Sequence, residues 1–149
     1  MQRASQRRFL LVADEQESVM RVLYVDDEPD IREVARLSLE LDGDAVVETA
    51  ASGAEAVLKA QSFKPDIILL DVMMPDLDGP ATLGLLRAQP ASAAVPVVFI
   101  TAQTQSREAE RFRTLGVVAV ISKPFDPMTL AKQVRDLGRS LGSVMASAG

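Results

Sequence analysis

The sequence predicts an α/β fold, a parallel sheet with helices packed on both faces. Three observations predict it. Short apolar runs alternate with helical patterns five times along the 149 residues, the signature of β-α-β units. The central runs are apolar at nearly every position, as strands covered on both sides are. Capping and breaking residues fall between the runs and not inside them.

The elements follow in chain order. "VLYV" (22–25) reads as the first strand and leads into a helix over 29–40 with Ile31, Val34 and Ala35 turned inward; Gly43 marks its end. "AVVET" (45–49) is the second strand. Ser52 with Glu55 three residues on has the capping-box form and opens a helix over 52–61, with Ala54, Val57 and Leu58 as its inner face. "KPD" (64–66) breaks the chain before "DIILL" (66–70), and a third helix follows over 80–88. "PVVFI" (96–100) precedes a helix over 105–115 with Ala109, Phe112 and Leu115 inward and Arg107, Arg111 and Arg113 outward. Gly116 ends that helix and "VVAVI" (117–121) is the fifth strand. The last helix, 127–141, is the most regular: Leu130, Val134, Leu137 and Leu141 form a stripe at steps of four, three and four. Strict alternation of this kind implies right-handed crossovers.

The length fits one domain, expected over 21–141, with an N-terminal extension over 1–20 and a flexible tail over 142–149. Arg7 and Arg8 before "FLLVA" have the form of an export signal, but the apolar run stops at Asp14, too early for one. The expected location is the cytoplasm. Cysteine and histidine are both absent, which excludes disulfides, thiolate or imidazole metal sites, cysteine nucleophiles and histidine bases. Any metal here sits on oxygen, which points to magnesium or calcium. Sixteen basic residues against twenty-one acidic leave a net charge of −5, a poor balance for gripping nucleic-acid phosphates.

Chemistry gathers at the strand ends. Ligands of open parallel sheets bind beyond the carboxyl ends of the strands. Asp26 and Asp27 follow the first strand, Asp71 ends the third, Thr101 ends the fourth, and Lys123 lies just past the fifth. Neighbouring carboxylates repel, so three of them around one crevice need compensation. A magnesium ion, which takes few protein ligands and keeps its waters, supplies it. Acids after strands are also ordinary helix caps, but capping accounts for neither Lys123 nor Thr101.

These residues carry a resemblance. "VDDE" after the first strand, "DIILLDVMMPDLDG" across the third, "FITA" at the fourth and "ISKPF" after the fifth resemble the response-regulator receiver domain of two-component signalling. The likeness covers about residues 20 to 141. It implies a flavodoxin-like (βα)5 three-layer sandwich with sheet order 2-1-3-4-5. It implies that Asp71 accepts a phosphoryl group from a phosphohistidine on a sensor kinase or phosphotransfer protein. Asp27, Asp71 and the Met73 carbonyl would then bind magnesium directly, and Asp26 mainly through water. Thr101 and Lys123 would meet the phosphoryl oxygens, and the bond before Pro124 would be cis. The fourth helix, fifth strand and fifth helix would form the surface seen by a downstream target or a second copy. With only a short tail after the last helix, the expected protein is a stand-alone receiver that contacts neither nucleic acid nor membrane.

Two positions depart from the family pattern. Val120 stands where many relatives carry an aromatic ring whose rotamer reports phosphorylation, and a stiff β-branched side chain cannot swing that way. Met73, two residues after Asp71, stands where relatives often have polar residues, with Gln103 two after Thr101. An apolar guard there is expected to lengthen the phosphorylated state. A small magnesium-dependent aspartyl phosphatase or phosphotransferase is an alternative, but it needs a second acid at the Met73 position. A binding module indifferent to phosphorylation would have no use for five intact site positions.

Overall fold

The strand ends do converge. The computed structural model describes residues 19–41, 43–102 and 106–148; the readings of residues 1–18 and of Gln103 lie outside them. The elements are β1 (Met20–Val25), α1 (Pro29–Glu40), β2 (Ala45–Ala50), α2 (Gly53–Phe63), β3 (Ile67–Asp71), α3 (Gly79–Arg87), β4 (Val97–Thr101), α4 (Ser106–Arg113), β5 (Ala119–Ser122) and α5 (Leu130–Ala148). All strand pairs are parallel and the order is β2-β1-β3-β4-β5, the flavodoxin-like order expected.

The sheet separates two apolar layers because side chains alternate along a strand. Val22 and Tyr24 of β1, Ile67 and Leu69 of β3, and Val98 and Ile100 of β4 meet Ala35 and Leu39 of α1 and Leu130 and Val134 of α5. Leu23, Val25, Ile68, Leu70, Val97 and Phe99 point the other way, onto Ala56 and Ala60 of α2, Leu83 and Leu86 of α3, and Phe112 of α4. Phe112 stands edge-on to Phe99 with ring centroids 5.1 Å apart. Every residue of β3 and β4 is buried, which is why those runs carry no polar alternation.

Local signals read from sequence take physical form. Ser52 accepts from the Glu55 N–H at 3.1 Å, while Glu55 reaches back to the Ala51 N–H, one residue earlier than a strict capping box. Gly43 and Gly116 both adopt positive φ, 74° and 94°, as helix-terminating glycines do.

Four inner-face assignments are corrected. Ala54 is exposed, and Val34, Leu58 and Leu115 are exposed by 41%, 69% and 44%. On α1 the sheet-facing positions include Ala35 and Leu39 and on α2 Ala56 and Ala60, so the phase of each helix turns Val34, Ala54 and Leu58 outward. Leu115 lies past the end of α4, in the turn where its N–H bonds to the Phe112 carbonyl. The chain beyond 141, expected as a flexible tail, continues α5 to Ala148. The segment after Gly142 is rich in alanine and serine with no proline to stop a helix.

Candidate functional site

β1 delivers its acids into the interior. Asp26, the residue after the strand, is fully buried, Asp27 is half-buried, and Asp71 at the tip of β3 is 2% exposed. One carboxylate oxygen from each of the three lies within 4.8 Å of the others. They are not caps. The N-cap of α1 is Glu28, whose side chain makes no capping bond. The cap reading does hold for Asp78, which accepts from the Ala81 N–H at 2.9 Å and opens α3.

Lys123 binds the cluster together. Its ammonium donates to Asp26 Oδ2 at 3.1 Å and Asp71 Oδ2 at 3.3 Å, and pairs with Glu28 at 3.4 Å. The backbone holds it there: the Lys123 N–H donates to the Thr101 carbonyl at 2.9 Å, extending the β4–β5 ladder by one bond. Thr101 is buried at the head of β4. The Lys123–Pro124 bond is cis.

The electrostatics follow from burial and neighbours. Burial above all, and then the charge of Asp26, push the Asp71 carboxyl up to about 6, with Lys123 pulling the other way. Burial pulls the Lys123 ammonium down, but its hydrogen bond with Asp26 and the charges of Asp26 and Asp71 hold it above its ordinary value. The lysine therefore stays charged and the nucleophile candidate is strained toward neutrality. Three oxygen ligands beside so much negative charge suit a hard divalent cation such as magnesium.

The loop after Asp71 is shaped by contact as well as by turn chemistry. Asp76 takes a positive φ of 68°, and the Gly79 N–H returns to the Val72 carbonyl at 2.8 Å. A Cβ on Gly79 would lie 2.8 Å from the Val72 Cα. Only glycine lets the loop fold so closely onto the strand tip. Met73 is left 68% exposed at the mouth, its N–H directed to Asp71 Oδ1 at 3.4 Å. Val120 is half-buried against the layer that holds Phe99.

The profile of the response regulator receiver domain matches residues 22–135. The chain belongs to the response regulator receiver family. Among curated relatives this receiver is similar to response regulator Rre1 of Synechocystis, 40% identical over 116 residues, which are 78% of this chain and 50% of that protein. It is similar also to the alkaline phosphatase synthesis transcriptional regulatory protein PhoP of Bacillus subtilis, 36% identical over 80% of this chain and 48% of the other. The receiver thus spans about half the length of these relatives. Among solved structures, the chemotaxis protein CheY4 of Vibrio cholerae superposes with a TM-score of 0.73 at 34% identity, covering 80% of this chain and 98% of that one. Among the described residues of the receiver, no helix is long and apolar enough to cross a membrane.

Asp26, Asp27, Asp71 and Lys123 meet in one crevice, and Thr101 is tied to Lys123 through its backbone carbonyl. Sequence reasoning missed Tyr24, Glu28 and Arg32. The Tyr24 hydroxyl donates to Asp26 Oδ2 at 3.0 Å, and burial, with the charge of and hydrogen bond to Asp26, pushes its pKa far above the usual range. The Arg32 guanidinium donates to the Asp26 carbonyl at 2.8 Å. Tyr24 had a legible signal: two residues before Asp26 on a strand, it faces the same way.

Proposed function

We propose that this receiver is a phosphorylation switch whose acceptor is Asp71, charged by a phosphohistidine on a sensor kinase or phosphotransfer protein. The observation that carries the reading is Lys123 bridging Asp26 and Asp71 beside a third acid, Asp27. A carboxylate oxygen of Asp71 attacks phosphorus, a phosphoryl–oxygen bond forms, and the imidazole nitrogen leaves with the electrons of the N–P bond. Lys123, already charged and within reach, takes the negative charge building on the transferred oxygens. Asp27, Asp71 and the Met73 carbonyl would hold magnesium directly and Asp26 through water; the ion, when bound, neutralises the acids and draws charge from the phosphoryl oxygens.

Thr101, buried at the neighbouring strand tip, would donate its hydroxyl to the new phosphate. Drawing Thr101 inward also pulls on the chain that leads into α4, so a local charge event biases the α4-β5-α5 surface toward a downstream target or a second copy. On that surface Arg107, Arg111 and Arg113 are exposed. Beside Lys123, the crevice rim is a groove of about 320 Å³ lined by Ile31, Val34, Pro124, Phe125 and Pro127, an apolar border that favours a protein donor over a small one. The reading places the protein in the cytoplasm, with no role in holding nucleic acid. An aspartyl phosphatase is disfavoured by Met73 where its proton donor would stand.

Incubating the chain with magnesium and acetyl phosphate, then locating the modification by mass spectrometry, tests this. A phosphoryl group on Asp71, absent from Asp71→Ala, is expected. Modification elsewhere, or retained in that variant, overturns it.

A further inference from the structure

Tyr24 has no part in the reading above, yet it touches the centre of the site. Its ring is fully buried and stands edge-on to Phe125, centroids 6.2 Å apart at 74°. Its hydroxyl and the Lys123 ammonium donate to the same oxygen, Asp26 Oδ2, at 3.0 and 3.1 Å. The other oxygen of Asp26 takes the Glu28 N–H at 3.0 Å.

Lys123 is the shared resource. An anion on Asp71 draws the ammonium toward itself, and Asp26 Oδ2, fully buried, then loses a donor. A buried acceptor stripped of its partners holds on to the one that is leaving. The Tyr24 ring is packed in the layer with Val22, Leu69 and Leu130, so its hydroxyl stays where it is. We propose that Tyr24 is a positioning residue: it keeps a hydrogen bond on Asp26 and so frees Lys123 to move to an anion on Asp71. This deepens the proposed function and rests on it.

The test uses the full chain and Tyr24→Phe, which keeps the ring and removes the hydroxyl. With magnesium present, affinity for beryllofluoride, a phosphoryl mimic, is measured by calorimetry, and acetyl phosphate kinetics are resolved into kcat and KM. Loss of the resident donor is expected to weaken beryllofluoride binding about tenfold and to lower kcat similarly with KM unchanged. A change in thermal midpoint alone, with beryllofluoride affinity and kcat intact, reduces Tyr24 to a packing residue and overturns the proposal. Wild-type protein supplies a second readout, because Tyr24 is its sole tyrosine and tryptophan is absent. Its near-ultraviolet absorption should keep the hydrogen-bonded position when beryllofluoride binds; a shift to the unbonded position also overturns the proposal. Failure of the wild type itself to bind beryllofluoride or take phosphate indicts the switch reading instead.

Discussion

The ammonium of Lys123 lies 3.3 Å from Asp71 Oδ2, and the same nitrogen is 3.1 Å from Asp26 Oδ2. One cation therefore restrains two buried carboxylates that would otherwise repel across the crevice. Without metal, Lys123→Ala should lower the unfolding free energy by about 1–3 kcal/mol, because it strands buried charge. Millimolar magnesium should restore most of that loss by supplying another cation. Urea denaturation with and without the ion measures both, and a loss that magnesium leaves untouched would contradict the shared role.

Proton linkage at Asp71 has a defined sign. Its carboxyl rises from 3.8 to about 6 on folding, so between those values the folded chain holds a proton that the unfolded chain has released. Its stability contribution is greatest below about pH 4 and declines as pH rises through about 6, by roughly 3 kcal/mol in the metal-free protein. Asp71→Asn should lack the decline and be the more stable of the two at pH 7 in chelator. Parallel stability curves for the two proteins would refute this.

Met73, two residues after Asp71, carries an apolar side chain that is 68% exposed, and in the proposed switch it offers an attacking water no hydrogen-bonding group. Trapped phosphoprotein should decay faster in Met73→Asn than in the wild type, since the amide can orient that water. Equal lifetimes would end the idea.

Two glycines separate contact from conformational freedom. Gly79→Ala places a Cβ 2.8 Å from the Val72 Cα, a backbone atom that cannot give way, and should cost about 1–3 kcal/mol. Gly84 lies inside α3 with open space around a would-be Cβ. Gly84→Ala should stabilise by about 0.5–1 kcal/mol through helix propensity. Thermal unfolding of both variants checks the pair, and stabilisation by Gly79→Ala would show that the loop approach is looser than described.

Much of the site was legible because its chemistry is written at element boundaries. Asp26, Asp71, Thr101 and Lys123 each follow or end an apolar run, and a parallel sheet gathers such positions at one edge. Helix faces were harder to read. Val34, Ala54 and Leu58 read inward by spacing, but the helices present Ala35 and Leu39, and Ala56 and Ala60, to the sheet, a shift of one or two positions that turns a helix face by about 100° or more. Tyr24 went unread because its ring looks like one more core residue until the hydroxyl is seen to meet Asp26.

By itself, then, the sequence determined the five-strand alternation, the oxygen-only chemistry left by the absence of cysteine and histidine, and the order of polar residues at the strand tips. These are properties of periodicity and composition, which survive in a string of letters. Only the tertiary structure decided that Asp26 is fully buried and shares one oxygen between Tyr24 and Lys123, and that Gly79 is required by the Val72 backbone. Those facts depend on which atoms far apart in the chain come within a few ångströms, and hydrogen bonds and steric clashes act only at that range.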